Sequence, residues 1–187
     1  MKKILTLAVA FPLLFACNSK SDQSNEMGAG KTDTTTMDSV NQKKAVEFAD
    51  SKYMDIGRQQ IQQLANGNVD GFMSQFADNA VFLWSGGDSL TGKKEIDNYW
   101  RNRRMNVIDS LKITNDIWLP IKVNQPQKGP DMPGIWLLSW FQFDSKYKNG
   151  KRAGGWIHAD LHFDSKDKID RYIQYIDRLP LQVANAK

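Results

Sequence analysis

The chain has 187 residues, with 25 lysines and arginines against 21 aspartates and glutamates, a formal charge of +4, and one cysteine. Lys2 and Lys3 read as part of an export leader; without them 23 basic groups face 21 acidic ones, and a net +2 is too weak a field to recruit nucleic acid. A single cysteine excludes an internal disulfide framework.

Residues 1–17, MKKILTLAVAFPLLFAC, place two lysines before an apolar run, Ile4 to Ala16, that ends at Cys17. This is the pattern of an export signal. The run is shorter than the ~20 residues a spanning helix needs. Leu14-Phe15-Ala16 before the cysteine resembles the lipobox of bacterial lipoproteins, in which the cysteine is lipidated. The alternative is a cleaved leader with an incidental cysteine. Lipidation would anchor the chain, each buried methylene contributing ~0.8 kcal/mol. Asn18 after Cys17, rather than an aspartate, favours by the same resemblance the outer membrane of a Gram-negative envelope. Residues 18–44 lack Leu, Ile and, in their polar stretch to 41, any aromatic; such a segment cannot bury enough surface to offset its ordering entropy and is expected to be a tether.

Residues 45–180 carry the pattern of one domain with one core, with 181–187 as a tail. Val46, Phe48, Tyr53, Ile56, Gln60, Ile61 and Leu64 fall at three- and four-residue steps, predicting an amphipathic helix stopped at Asn66-Gly67. Asn68 caps a second, short helix with Phe72 and Phe76 one turn apart, and AVFLW, residues 80–84, reads as a strand. Thr91 caps a third helix through Ile96, Tyr99, Trp100 and Arg103, on which Arg101, Arg103 and Arg104 read as a solvated face. Four strands follow: 109–123 with Pro120 at an edge or bulge, IWLLSWFQF, WIHADLHF after a KNGK turn, and IDRYIQYID. The fold class is therefore α+β, with N-terminal helices on one face of a strongly curved, mainly antiparallel sheet.

GNVDGFMSQFADNAVFLW, then LTGKKEIDNYW, then HFDSKDKIDRYIQYID, in this order and nearly ungapped, resemble the NTF2-like or SnoaL-like superfamily over residues 46–178. The resemblance implies a cone of sheet around three helices, enclosing a pocket. Laid on the ketosteroid isomerases of that superfamily, the oxyanion-binding tyrosine falls at Gln60, the catalytic aspartate at Trp84 and the oxyanion-binding acid at Ala159. The same alignment puts Trp100 in place of a pocket-facing tyrosine and turns Tyr172, Gln174 and Ile176 inward. These seven positions are the candidate ligand-binding residues. They carry no base, and a glutamine serves only as a hydrogen-bonding group, so no catalytic residue is assigned among them.

The two histidines, His158 and His162, flank Asp160 in GGWIHADLHF. On a strand they lie ~13 Å apart at ~3.3 Å per residue, too far to share a metal, and neither a metal nor a cofactor is expected. Alternation sends Ile157, Ala159, Leu161 and Phe163 to the helices and the imidazoles and carboxylate to the convex side. A register slip would reverse this and let Asp160 orient His158 as a general base. Two functions therefore stand side by side. One is a lipid-anchored module binding a small apolar or aromatic ligand or a protein partner, with a homodimer through the sheet as a variant. The other is a cyclase, dehydratase or isomerase using His158 and Asp160.

Overall fold

The computed structural model describes residues 44–125 and 132–185, all within one unit, Asn41–Lys187. The expected leader, its lipidation site Cys17, the tether as far as residue 43 and the middle of the QPQKGPDMPG loop lie outside the described residues.

The first helix is shorter than its periodicity suggested. Val46–Phe48 form a strand, β1, antiparallel to Val123, Lys122 and Ile121, and helix α1 runs only over Lys52–Ala65. Asp50 sets the start: its carboxylate accepts a hydrogen bond from the Lys52 N–H at 2.8 Å, which a residue inside a helix could not do as a cap. The helix buries Tyr53, Gly57, Gln60, Ile61 and Leu64. At Gly57 it lies so close to the sheet that a Cβ would stand 2.5 Å from Leu137 Cδ2 and 2.6 Å from Trp118 Cζ3. Its end is where Asn66-Gly67 placed it: Gly67 takes φ +82°, its N–H donates to Leu64 O and the Asn68 N–H to Gln63 O, satisfying two terminal carbonyls.

Asn68 caps α2, Val69–Met73, by accepting from the Gly71 N–H at 2.9 Å. Phe76 opens strand β2, Phe76–Trp84, instead of continuing the helix, although its ring still meets Phe72 edge-on at 5.2 Å. Thr91 ends strand β3, Ser89–Thr91; Gly92 is the cap of α3, Lys93–Asn102, while the Thr91 N–H donates to Glu95 at 2.8 Å. A π-helical turn, Arg103–Val107, follows directly.

The remaining strands, β4 (Ile108–Val123), β5 (Gly134–Tyr147), β6 (Arg152–Phe163) and β7 (Ile169–Ile176), pair antiparallel in sequence. The seven-stranded sheet has the order β1-β4-β5-β6-β7-β2-β3, and β2 against β7 is its parallel pair. Irregular register in β4, near Asn115 at φ +54°, bends the sheet around the helices. Residues expected as a tail fold instead into helix α4, Leu179–Asn185. Ala184 is buried there, and its carbonyl accepts from Asn149 Nδ2 at 2.8 Å.

Candidate functional site

Between the helices and the curved sheet lies a cavity of ≈460 Å³, a volume in the range of about 300–1,000 Å³ usual for small-molecule sites. One wall is aromatic, formed by Trp84 of β2, Tyr99 and Trp100 of α3 and Tyr172 of β7, with the fully buried Phe82 packed behind it. Phe82 stacks on Tyr172 at 4.5 Å and 8°, Trp84 leans on Phe82 at 4.7 Å, Tyr99 meets Trp84 at 5.2 Å, and Trp100 meets Tyr99 at 5.2 Å. The facing wall is aliphatic and aromatic, with Leu111, Ile113, Phe141, Phe143 and Ile157 from β4, β5 and β6. Ile61 and Leu64 of α1 close the back, and Leu181, Gln182 and Asn185 of α4 lie across the opening.

Polarity in the cavity is of one kind. Among the described residues its lining holds two arginines, Arg103 and Arg178, with amides and hydroxyls, and no carboxylate, imidazole, amine or thiol. Arg178 is already matched by Asp88 at 2.5 Å. Arg103 has its guanidinium over the Tyr99 ring at 5.9 Å and no carboxylate partner among the described residues. Burial raises the Tyr99 phenol above its ordinary value while Arg103 and Arg178 pull it down; burial holds the Tyr172 phenol well above its ordinary value too. Both tyrosines are neutral donors at physiological pH.

His158 and Asp160 lie on the other face of β6, off the cavity wall. They touch there: His158 Nε2 stands 2.9 Å from Asp160 Oδ1. Alternation places residues two apart on one face, so contact needed no register slip. The His158 ring is sandwiched between Trp140 at 4.6 Å and Tyr175 at 5.2 Å. Its Nδ1 lies 2.9 Å from the Ser139 carbonyl, which only accepts, so Nδ1 carries a hydrogen. Nε2 therefore faces the Asp160 carboxyl, although the approach is off the ideal hydrogen-bond axis and Oδ1 has no aligned donor. Burial raises the Asp160 carboxyl above the usual range, and His158 opposes that. His162, expected to be wet, is buried at 5 % exposure, because Trp136 covers its ring and Asp170 meets Nδ1 at 2.6 Å.

No protein-family model matches the chain, and no curated protein matches it either. Solved structures do. An NTF2-like protein from Burkholderia pseudomallei superposes with a TM-score of 0.57 at 13 % identity, over 73 % of this chain and 100 % of that one. A candidate polyketide cyclase from Xanthomonas campestris gives 0.56 at 9 %, over 71 % and 96 %, and a candidate isomerase from Bacillus subtilis 0.55 at 16 %, over 71 % and 91 %. The fold is that of the NTF2-like proteins.

Within this NTF2-like cone, Trp84, Trp100, Tyr172, Gln174 and Ile176 lie on the cavity wall. Gln60 and Ala159 do not. Gln60 is 1 % exposed, but a helix advances 100° per residue, and it is Ile61 and Leu64 that α1 turns to the cavity. Ala159 is fully buried one pleat further along β6 than Ile157, which does reach the wall. The arginine cluster also divides. Arg101 is exposed and pairs with Asp97 and Asp70, whereas Arg104 turns back to donate to the Leu64, Ala65 and Ile108 carbonyls. Arg103 enters the cavity. Its place was readable: Ile96, Trp100 and Arg103 recur at i, i+4 and i+7, one face of a helix. Tyr147, also on the wall, had no such signal, because it stands at the end of β5 beyond the apolar run.

Proposed function

We propose that this NTF2-like domain binds a small, largely apolar ligand and performs no acid/base chemistry on it. The observation that carries this reading is the cavity's composition: aromatic and aliphatic walls with a few fixed donors, and no lining group that exchanges a proton near neutral pH. The enzyme alternative is weakened by geometry, since the His158–Asp160 pair is separated from the cavity by the sheet itself. The neutral fluorophore N-phenyl-1-naphthylamine tests the reading directly. Saturable binding with enhanced emission is expected, and replacement of Ile157, whose side chain reaches the cavity, by Trp should abolish it. Absence of any saturable binding by the parent chain would refute the proposal.

Attachment to an envelope membrane through a lipid on Cys17 belongs to the same reading and rests on the leader sequence. Cys17→Ser is expected to move the protein from the membrane to the soluble fraction of the native host; unchanged partition would mean that something other than Cys17 retains it.

A second reading has its own observation. The convex face exposes Ile117 at 56 %, Trp156 at 51 % and Tyr175 at 41 %, an apolar surface of the sort that a second copy of the chain covers. Sedimentation measures this: a self-associating chain shifts to dimer with concentration, and a monomer at all concentrations rules it out.

A further inference from the structure

The cavity is lopsided, and its polar end is built at one junction of the fold. Helix α3 runs out into the π-helical turn Arg103–Val107, and β4 begins at Ile108. Ile108 is paired with Tyr147, the last residue of β5, and the Lys148 N–H donates to the Val107 carbonyl at 3.0 Å. Tyr147 is therefore seated beside the turn that carries Arg103, and Trp100 lies one helical turn earlier on the same face. Single π-turns within helical segments recur at functional sites because they re-aim side chains.

All three residues line the cavity, and each brings a donor with nothing to donate to. The Tyr147 hydroxyl, on a residue only 2 % exposed, has no hydrogen-bond partner, and neither does the buried indole Nε1–H of the partly buried Trp100. Leaving such groups unpaired costs about 1–3 kcal/mol each. The Arg103 guanidinium adds a positive charge without a carboxylate partner among the described residues. A core selected only for packing would place phenylalanine at 147 and an aliphatic residue at 103. The rest of the described lining is apolar apart from Arg178, which Asp88 already pairs, and a few neutral amides and hydroxyls, so two orphaned donors and an unmatched cation are complementary to an anion that is not part of the protein.

We infer that the ligand is an amphipathic monoanion, a flat apolar body ending in a carboxylate, with the carboxylate held by Arg103, Tyr147 and Trp100. This rests on the proposed binding function and narrows it. The body lies between the aromatic wall of Trp84 and Tyr172 and the aliphatic wall of β4 and β5. The guanidinium offers two parallel N–H groups to the two carboxylate oxygens, while the phenol and indole donors fill the remaining lone pairs. Tyr99, beneath the guanidinium, stays a neutral phenol there and so adds no competing negative charge.

The test uses two ligands of one shape, naphthalene-2-carboxylate and naphthalene-2-carboxamide, each displacing N-phenyl-1-naphthylamine from the purified full chain. The carboxylate is expected to displace at a concentration at least tenfold lower than the amide. That ratio should fall towards one in Arg103→Met and drop several-fold in the isosteric Tyr147→Phe. It should persist in Arg101→Met, whose guanidinium is engaged by Asp97 and Asp70 outside the cavity. Because a ratio is read, a change in the fluorophore's own affinity in any variant does not enter. If the fluorophore binds but acid and amide compete equally, or the preference survives Arg103→Met, the anion inference fails and the apolar pocket stands. If the fluorophore does not bind, both fail together.

Discussion

Ile157 and His158 are adjacent in sequence and belong to two different surfaces. Ile157 faces a cavity with no titratable base, while His158 faces outward in contact with Asp160, between two aromatic rings. The residues that look reactive in the sequence are thus the ones the pleat keeps from the enclosed space. Those that build the enclosed space are individually unreactive: tryptophan, tyrosine, an amide, an arginine. The difference shows why chemistry-bearing residue types locate a site poorly in a curved sheet. One step of alternation moves a side chain from a place where a ligand is held to a place where it is not, and only burial on the opposite face decides which is which.

The contrast is sharpest where packing is complete. Phe82 is fully buried behind the aromatic wall, in contact with Trp84, Trp100 and Tyr172. Phe82→Ala is expected to cost about 3–5 kcal/mol in chemical denaturation, from lost burial and the void left behind. A smaller loss, near 1 kcal/mol, would mean that the wall collapses into the cavity, and that the cavity is not rigidly held. Gly57→Ala comes next, at about 1–3 kcal/mol. Its methyl has no space between Leu137 and Trp118, both fixed by the sheet on the side from which α1 is supported.

Much of this frame was legible before any coordinates. Periodicity gave α1 from Lys52 onward and the inward set Ile157, Ala159, Leu161 and Phe163; turn residues gave the Gly67 stop and the KNGK hairpin; and the order of motifs gave the NTF2-like cone. Boundaries were legible only where a cap stood near: β1 was absorbed into α1 because Val46 and Phe48 happen to fit a helical spacing, and nothing local announced that they pair with Val123 and Ile121, more than seventy residues away. Helix α4 was missed for a related reason, since a seven-residue segment with a proline at its second position carries too little pattern to declare itself. The β4–β5 side of the cavity was unreadable because these strands contribute residues whose inward phase depends on the irregular register near Asn115. Arg103 is the instructive case: its helical phase pointed inward, and its charge and its neighbours Arg101 and Arg104 pointed outward. Phase was the better guide.

On the convex face, acid sensitivity should reveal a proton held by Asp160. Burial raises the Asp160 carboxyl, so between the ordinary carboxylate value near 4 and its raised folded value the native chain holds a proton that the unfolded chain has lost. Stability from this group is accordingly complete below the unfolded value and declines as pH rises through the folded one. The groups facing it are His158 and, across the β7 pairing, Tyr175, whose phenol is itself raised by burial and then by Asp160. Asp160→Asn removes this contribution, so across the mildly acidic range the parent's melting temperature should fall relative to the variant's as pH rises. A parent that instead gains on the variant as pH rises would mean that folding stabilises the carboxylate, and that no proton is held there.

The smallest effect separates the faces most finely. Trp156 lies on the same face as His158 and is half exposed, with a large ring and no partner in the ring network of its strand. In a monomer Trp156→Ala is expected to change stability by no more than about 0.5 kcal/mol, and by the same amount at every protein concentration. If a second copy covers the convex face, the ring is buried in the pair, and its removal costs more as concentration rises, because assembly adds to apparent stability by mass action. Denaturation midpoints of parent and variant at two concentrations a hundredfold apart measure the difference. A constant gap confines the ligand-binding role to the concave side and leaves Trp156 an ordinary surface residue; a gap that widens with concentration makes the convex face an interface, with the His158–Asp160 pair enclosed in it.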